Sequence, residues 1–346
     1  MSAGGVSVER LSPAYFGLVM ATGIVSLAAH AVGMPRAAGA LFALNGVFYV
    51  ALWALNAMRA ARHTRAFASD LTDHLRGPGF FTWVAASGVL GAQFVILHDN
   101  YAVAWALWGL AAALWVAFTY AIFAIFTVKD EKPPLERGIS GAWLLAVVAT
   151  QSIAVLSALL AMREAAAFKR ELNFLALCMW LWGGMLYIWM MSLIFYRYTF
   201  FRLAPGDLTP PYWINMGAMA ISTLAGSLLI ANAGDAPLLQ QLLPFVMGFT
   251  IFYWATGTWW IPMLLLLGAW RYLYKRHPLR YDPLYWGAVF PLGMYAVATH
   301  QMADALGLPV LGGVAWAFAY VALAAWTAAA AGLARTLWRA AAGKAG

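Results

Sequence analysis

Charge is scarce in this chain. Only 10% of its 346 residues are charged, whereas 64% are hydrophobic. A soluble globular domain is usually about a quarter charged. Because no single water-soluble core buries so large an apolar fraction, the composition excludes an ordinary soluble domain and predicts an all-α integral membrane protein.

Cysteine and the common catalytic motifs are also lacking. The single cysteine, Cys178, excludes an internal disulfide, and it lies in an apolar run where a small core residue is expected. The sequence has no HExxH, P-loop, CxxC pair, carboxylate dyad or nucleophile–base pair. Histidines paired in mid-membrane, as haem requires, are missing too. We therefore expect no enzymatic activity, no cofactor and no metal site.

Acidic residues are outnumbered, with 13 Asp and Glu against 21 Lys and Arg and a net charge of +8. A basic balance can indicate a nucleic-acid partner. Here the basic residues stand in short loops between apolar runs, so the positive-inside rule explains them and no nucleic-acid partner is expected. The amino-terminal residues lack the basic start of a signal peptide, so the first apolar run is predicted to be a retained helix.

Apolar runs of about 20 residues, the length that crosses a bilayer, occur ten times. Most of the Lys and Arg residues fall in one alternate set of loops, which predicts ten spans with both termini in the cytoplasm and a location in the inner membrane. We interpret residues 1–346 as one transmembrane domain with short tails at 1–11 and 338–346. The predicted spans are 12–32, 37–58, 78–97, 101–127, 140–161, 173–196, 211–232, 239–270, 283–303 and 309–337.

The odd-numbered spans begin alike, which indicates five repeated helical hairpins. A proline followed by aromatic residues opens four of them, and Ser140 takes the proline's place in the other. Proline costs little at a helix start, because the first turn has spare N–H groups anyway. The repeat anchors are Pro13, Pro78, Ser140, Pro210 and Pro283.

The two helices of each hairpin differ in composition. Even-numbered spans hold most of the 18 tryptophans, whereas odd-numbered spans are rich in small and hydroxyl residues. Small residues allow close helix packing or leave room for a passage, and aromatics suit lipid contact. We predict an inner ring of five odd helices around a central pore and an outer ring of five even helices. Close packing without a pore is the alternative.

One level of the repeat, seven residues after each anchor, predicts a plug. Two helical turns place this level about 10 Å deeper than the anchors. Four of the residues are modest in size, and the fifth is Phe290, followed by the helix-bending Pro291. A phenyl ring among small neighbours is a hydrophobic constriction of the kind that gates a pore. The residues predicted to line the path are Phe16, Met20, Phe81, Ala85, Trp143, Val147, Trp213, Gly217, Met294 and Gln301, with Phe290 and Pro291 as the gate.

Three segments carry a family resemblance: LSPAYFGLVMATGIVSLA, PPYWINMGAMAISTLAG and WGAVFPLGMYAVATHQ. They resemble the first, seventh and ninth helices of the tellurite-resistance/dicarboxylate transporter family. This family includes bacterial tellurite-resistance proteins, malate permeases, fungal sulfite efflux pumps and slow-type anion channels. The resemblance implies five hairpins around a pore, a homotrimer in the membrane lipid, and Phe290 as the occluding residue. It leaves the anion open among chloride, nitrate, sulfite and dicarboxylates.

Two transport functions fit these patterns. The first is a gated channel or uniporter for small anions. The second is a proton-coupled carrier for a C4-dicarboxylate such as malate, or for a sulfite- or tellurite-type oxyanion. No charged residue lies deep in an odd span, which favours the first.

Several polar residues lie outside the predicted path. His30, His98 and His300 stand near the outer ends of odd spans and are candidates for an outer vestibule. The span-five residue Gln151 receives no role. Arginines near the predicted cytoplasmic mouth either attract anions or only set the topology. They are Arg10, Arg59, Arg62, Arg65 and Arg76.

Overall fold

A computed structural model describes residues 8–163, 166–279 and 281–342, with nothing specified for the side chains of 166 and 167. The described residues form helices and connecting segments, with no β-strand among them. Part of each predicted tail, 1–7 and 343–346, lies outside the described residues.

Ten long helices account for most of the described chain. They alternate between shorter helices of 15–21 residues and longer ones of 27–35 residues. Their bounds are α1 Gly17–Ala31, α2 Pro35–Arg62, α3 Phe81–His98, α4 Tyr101–Val128, α5 Leu145–Ala161, α6 Ala166–Phe200, α7 Ile214–Asn232, α8 Leu243–Ala269, α9 Trp286–Leu306 and α10 Gly312–Ala342.

Nine helices in the described part of the chain are long and apolar enough to cross a membrane. The predicted ninth span, α9, falls short of that composition because it carries Pro291, His300, Gln301 and Asp304 among its apolar residues. At the carboxyl end, α10 continues to Ala342, so the predicted tail from 338 onward begins as helix.

A 3₁₀ turn precedes every odd-numbered helix, where the sequence repeat has its anchors. We call these segments the lead-in turns. A side chain caps three of them: Ser12, Ser140 and Asp282 each accept a hydrogen bond from the backbone N–H two residues later. The lead-in turns are Pro13–Phe16, Gly77–Phe80, Gly141–Leu144, Pro210–Trp213 and Pro283–Tyr285.

The caps correct the predicted repeat in span five. Ser140 stands at the position of Ser12 and Asp282, one residue before the turn, and not at the position of the prolines. The residue equivalent to Pro13 is therefore Gly141. Consequently, the level seven residues deeper belongs to Val148, and the sequence-based choice of Val147 was one residue off.

The odd-numbered helices pack in a closed order: α1 on α3, α3 on α5, α5 on α7, α7 on α9, and α9 back on α1. We call them the inner helices. Between 78% and 100% of the most apolar stretch of α1, α3, α5 and α7 is buried, against 17–50% for the even-numbered helices. Each even-numbered, or outer, helix packs against the inner helix of its own hairpin and also touches the next inner helix.

Hydrogen bonds join each outer helix to the next inner helix around the whole circle. In each bond an aromatic residue of the outer helix meets a hydroxyl or a carbonyl of the inner helix. Thr22, Ser87 and Thr150 occupy the same repeat position, nine residues after Pro13, Pro78 and Gly141. The five bonds are Tyr49–Ser87 at 2.8 Å, Trp115–Thr150 at 2.8 Å, Trp180–Ser222 carbonyl at 2.8 Å, Trp254–Thr299 at 3.0 Å and Trp326–Thr22 at 3.0 Å.

These bonds revise the interpretation of two residue classes. Several tryptophans that suggested lipid contact point inward, and the hydroxyl residues that suggested a passage accept their indole N–H groups. An indole N–H usually finds a partner when it is buried. Within hydrocarbon the alternative is an unsatisfied polar group.

The Trp115–Thr150 pair tests the contribution of these bonds. Trp115→Phe and Thr150→Val, alone and combined, form a double-mutant cycle on unfolding in detergent. We expect a coupling free energy of about 0.6–2 kcal/mol, the range for hydrogen bonds between membrane helices. Trp189, whose side chain is 60% exposed, supplies the control substitution Trp189→Phe. Additive effects of Trp115→Phe and Thr150→Val would contradict the assignment.

Candidate functional site

A cavity of about 430 Å³ lies at the end of the molecule where the inner helices begin. We call it the mouth cavity. All five inner helices or their lead-in turns contribute to its wall, each through two residues three positions apart. These pairs are Ala14 and Gly17, Gly79 and Thr82, Ala142 and Leu145, Pro211 and Ile214, and Leu284 and Gly287.

The lining follows the repeat. Each pair stands one and four residues after Pro13, Pro78, Gly141, Pro210 or Pro283. A spacing of three residues keeps side chains on one face of a helix, so every inner helix turns the same face to the cavity. Sequence reasoning missed these lining residues, although three of the five positions one residue after an anchor are small, namely Ala14, Gly79 and Ala142.

Met20 and Phe290 are the lining residues that reach furthest along their helices. Both stand seven residues after an anchor, and Phe290 is only 1% exposed. The next residue, Pro291, packs against Gly217 of α7, where a Cβ atom would come within 2.7 Å of the proline Cγ. The absence of a side chain at Gly217 therefore accommodates Pro291.

Four aromatics predicted to line the path lie elsewhere. Phe16 packs between Tyr49, Trp53 and Trp83. Phe81 contacts Phe123 of α4, and Trp143 donates to the His74 and Gly138 carbonyls. Trp213 borders a small cleft beside α8. These side chains face the outer helices because the inward positions of the repeat are one and four residues after each anchor.

The remaining predicted lining residues are deeper or more exposed. Ala85, Val147 and Met294 are buried, and none of them borders the mouth cavity. Gln301 is partly exposed near the far end of α9. Gln151, which received no role from the sequence, donates from its side-chain amide to the Trp180 carbonyl at 3.0 Å, which joins α5 to α6.

The three histidines do not meet in the mouth cavity. His30 and His98 are exposed, and the His98 ring lies 4.5 Å from the ring of Phe42. The Nε2 atom of His300 is 3.5 Å from the Asp304 carboxylate, one turn later on α9. The outer vestibule at the opposite end of the inner helices stays a prediction.

The arginines of the predicted mouth have different surroundings. Arg10 and Arg76 line the cavity, whereas Arg62 and Arg65 are exposed and do not line it. Arg59 is 1% exposed and lies 2.7 Å from the Asp70 carboxylate, which also binds Arg76. The buried Arg59–Asp70 ion pair therefore holds the Arg76 side chain at the cavity wall.

Four outer helices each have a basic residue at their carboxyl end. This residue binds the segment that precedes the inner helix of the same hairpin. In each case the side chain donates to a backbone carbonyl just before the lead-in turn. These residues position the turns that line the mouth, in addition to biasing the topology. The pairs are Arg59 with Glu9 at 2.9 Å, Lys129 with Thr72 at 3.1 Å, Arg197 with Glu136 at 2.8 Å, and Arg271 with Leu208.

In the last hairpin, a tyrosine takes the place of the basic residue that holds the segment before the lead-in turn. The ring of Tyr281, just before the final lead-in turn, packs on Gly332 of α10, where a Cβ atom would come within 2.4 Å of the ring. Its hydroxyl accepts a hydrogen bond from the Trp286 indole at 3.2 Å. Burial raises the pKa of Tyr281 to about 12, so the phenol stays neutral beside the mouth.

Comparisons with known proteins identify several membrane proteins of similar sequence. An uncharacterized membrane protein of Mycobacterium tuberculosis is 42% identical over 142 residues, which cover 41% of this chain and 72% of that protein. An uncharacterized transporter of Methanocaldococcus jannaschii is 23% identical over 310 residues, 88% of each chain. The sulfite efflux pump SSU1 of Arthroderma otae is 24% identical over 349 residues, 93% of this chain and 89% of the pump.

The apolar helices and these relatives define a multi-pass membrane protein. A family model described as SLAC1, voltage-dependent anion channel, matches residues 10–334. The chain therefore belongs to the SLAC1 family. This result confirms the resemblance to the tellurite-resistance/dicarboxylate transporter family. The description of the family and the names of the archaeal transporter and the fungal efflux pump support anion transport.

The Arg59 cluster gives a prediction about stability. We expect Arg59→Gln to lower the free energy of unfolding by about 3 kcal/mol, near the low end for breaking a buried ion pair, because Arg76 still compensates Asp70. Arg62→Gln, an exposed neighbour on the same helix, should change it by less than about 0.5 kcal/mol. Denaturation of the purified protein followed by circular dichroism measures both, and equal losses would refute the role given to Arg59.

Proposed function

We propose that this protein conducts small anions across the inner membrane through a path between the five inner helices, closed by Phe290. The mouth cavity is the observation that supports this proposal. Every inner helix turns the same repeat face to it, and its lining reaches furthest at Met20 and Phe290. A buried phenyl ring at the end of such a funnel excludes water, and a dewetted constriction blocks ions.

We propose ten spans, with α9 as the tenth beside the nine apolar helices. With 21 residues at 1.5 Å each, α9 is about 30 Å long, enough to cross the hydrocarbon. Its polar residues are tolerable because α1, α7 and α10 pack around it. Ten spans put both termini on one side, and the basic loops favour the cytoplasm. The proposed assembly is a homotrimer, which native mass spectrometry tests.

The location of the buried charged residues favours a channel or uniporter over a proton-coupled carrier. Among the described residues the buried charged side chains are Arg59, Asp70 and Arg197, and none belongs to an inner helix. A proton-coupled carrier commonly uses an ionisable residue within the membrane. The name of the fungal relative makes sulfite the first anion to test, beside chloride, nitrate and malate.

Replacement of the phenyl ring tests the gate. We expect Phe290→Ala to raise anion conductance several-fold in planar bilayers or liposomes, because removal of the ring lets water and anions into the constriction. Chloride and sulfite currents from wild type and variant at equal protein density give the measurement.

Phe81→Ala is the matched control for this experiment. Phe81 and Phe290 are each 1% exposed, but Phe81 packs outward against α4. The control should therefore lose stability without gaining conductance. An unchanged current in folded Phe290→Ala, or an equal increase in both variants, would refute the gate.

A further inference from the structure

A second cavity, of about 660 Å³, adjoins the mouth cavity. We call it the side bay. The two cavities share four lining residues and are therefore neighbours at the same end of the molecule. The shared residues are Leu75, Ala142, Pro211 and Leu284. An ion in the side bay is thus separated from the mouth cavity only by these shared residues.

The loops α4–α5 and α6–α7, together with the end of α6, supply the charged lining of the side bay. This lining consists of Arg137, Arg197, Arg202, Glu136 and Asp207. The side bay was not apparent in the sequence, because its charged residues come from segments about 60 residues apart that meet only in the fold, where Arg197 donates to the Glu136 carbonyl across 61 positions.

One of the three arginines is fully engaged by the protein. Arg197 is 6% exposed; it donates to the Glu136 carbonyl at 2.8 Å and to the Tyr212 hydroxyl at 2.9 Å. Its remaining nitrogen lies 3.6 Å from the Asp207 carboxylate, which also accepts the Ala204 N–H. Arg197 therefore builds the wall of the bay, and Asp207 is compensated within that wall.

The other two arginines are available for a ligand. Arg137 and Arg202 are exposed, and within the described residues neither side chain makes an ion pair or a hydrogen bond to the protein. A guanidinium group presents paired N–H donors that match two oxygens of an oxyanion or carboxylate. Two such groups from separate loops favour an anion that carries two charges.

We propose that the side bay is an anion-binding site that holds a divalent oxyanion between Arg137 and Arg202 before it enters the mouth cavity. Sulfite at mildly alkaline pH, where the dianion predominates over bisulfite, is the probe of this class. The proposal rests on the proposed function, because it makes the bay the supply site of the pore. It differs from long-range steering by a basic surface, since it requires these two guanidinium groups in particular.

The test compares two double substitutions that each remove two positive charges. One is Arg137→Gln with Arg202→Gln, and the control is Arg335→Gln with Arg339→Gln at the exposed carboxyl-terminal end of α10. Liposome flux as a function of sulfite and of chloride concentration gives the half-saturating concentrations. A sulfite-dependent rise in melting temperature of the detergent-solubilised protein measures binding without transport.

We expect the side-bay variant to raise the half-saturating sulfite concentration about tenfold, the equivalent of 1.4 kcal/mol. Its half-saturating chloride concentration should change less than about twofold, because a single charge gains little from a second guanidinium. The variant should also lose the sulfite-dependent stabilisation. Arg137→Lys with Arg202→Lys keeps the positive charges but loses the paired N–H donors of the guanidinium groups. We expect this variant to bind sulfite more tightly than the glutamine variant and more weakly than wild type.

Equal changes in both double variants would overturn the side-bay site, since they would indicate only a general surface potential. Unchanged sulfite stabilisation and flux in the Arg137→Gln, Arg202→Gln protein would overturn it as well. Failure of the proposed function looks different: wild type and Phe290→Ala would then carry no anion current, while sulfite binding to the detergent-solubilised protein would still report on the bay.

Discussion

The hydrogen bond from an aromatic residue of each outer helix to the next inner helix is the interaction on which this structure depends. In a membrane, the hydrophobic effect does not drive helices together, because lipid is as apolar as they are. Five such bonds, one for each neighbouring pair of hairpins, join the last hairpin back to the first through Trp326 and Thr22. They specify which inner helices are neighbours and so close the circle.

Close packing then fixes the surroundings of Phe290, the proposed gate. Gly217 lets Pro291 approach α7, and Gly293 lets α9 approach α1, where a Cβ atom would come within 3.0 Å of Ile24. Both contacts lie within the three residues that follow Phe290 in α9. At the mouth, Arg59, Arg197 and their counterparts hold the lead-in turns from outside. Close contacts at glycines thus shape the surroundings of Phe290, and the basic residues hold the lead-in turns of the mouth cavity in addition to contributing charge.

Composition and periodicity predicted the helical class, the approximate spans and the repeat, because these follow from the solvent and from local helix chemistry. The register of span five was wrong by one residue, since Ser140 caps its turn as Ser12 does, and a cap resembles an anchor in a bare sequence. The direction of Phe16 and Trp143 was not predictable, because it depends on which outer helix packs beside them. The side bay was not predictable either, because its lining comes from loops that are distant in the sequence.

The central claim is that Phe290 separates the mouth from the deeper part of the inner ring. Gly287→Cys and Met294→Cys, each in a Cys178→Ala background, place a thiol on either side of the ring. A membrane-impermeant thiol reagent, applied from the face where the inner helices begin, should modify the cysteine at 287 rapidly. It should modify the one at 294 only when Phe290→Ala is also present. Equal modification at 294 with and without the phenyl ring would contradict the account.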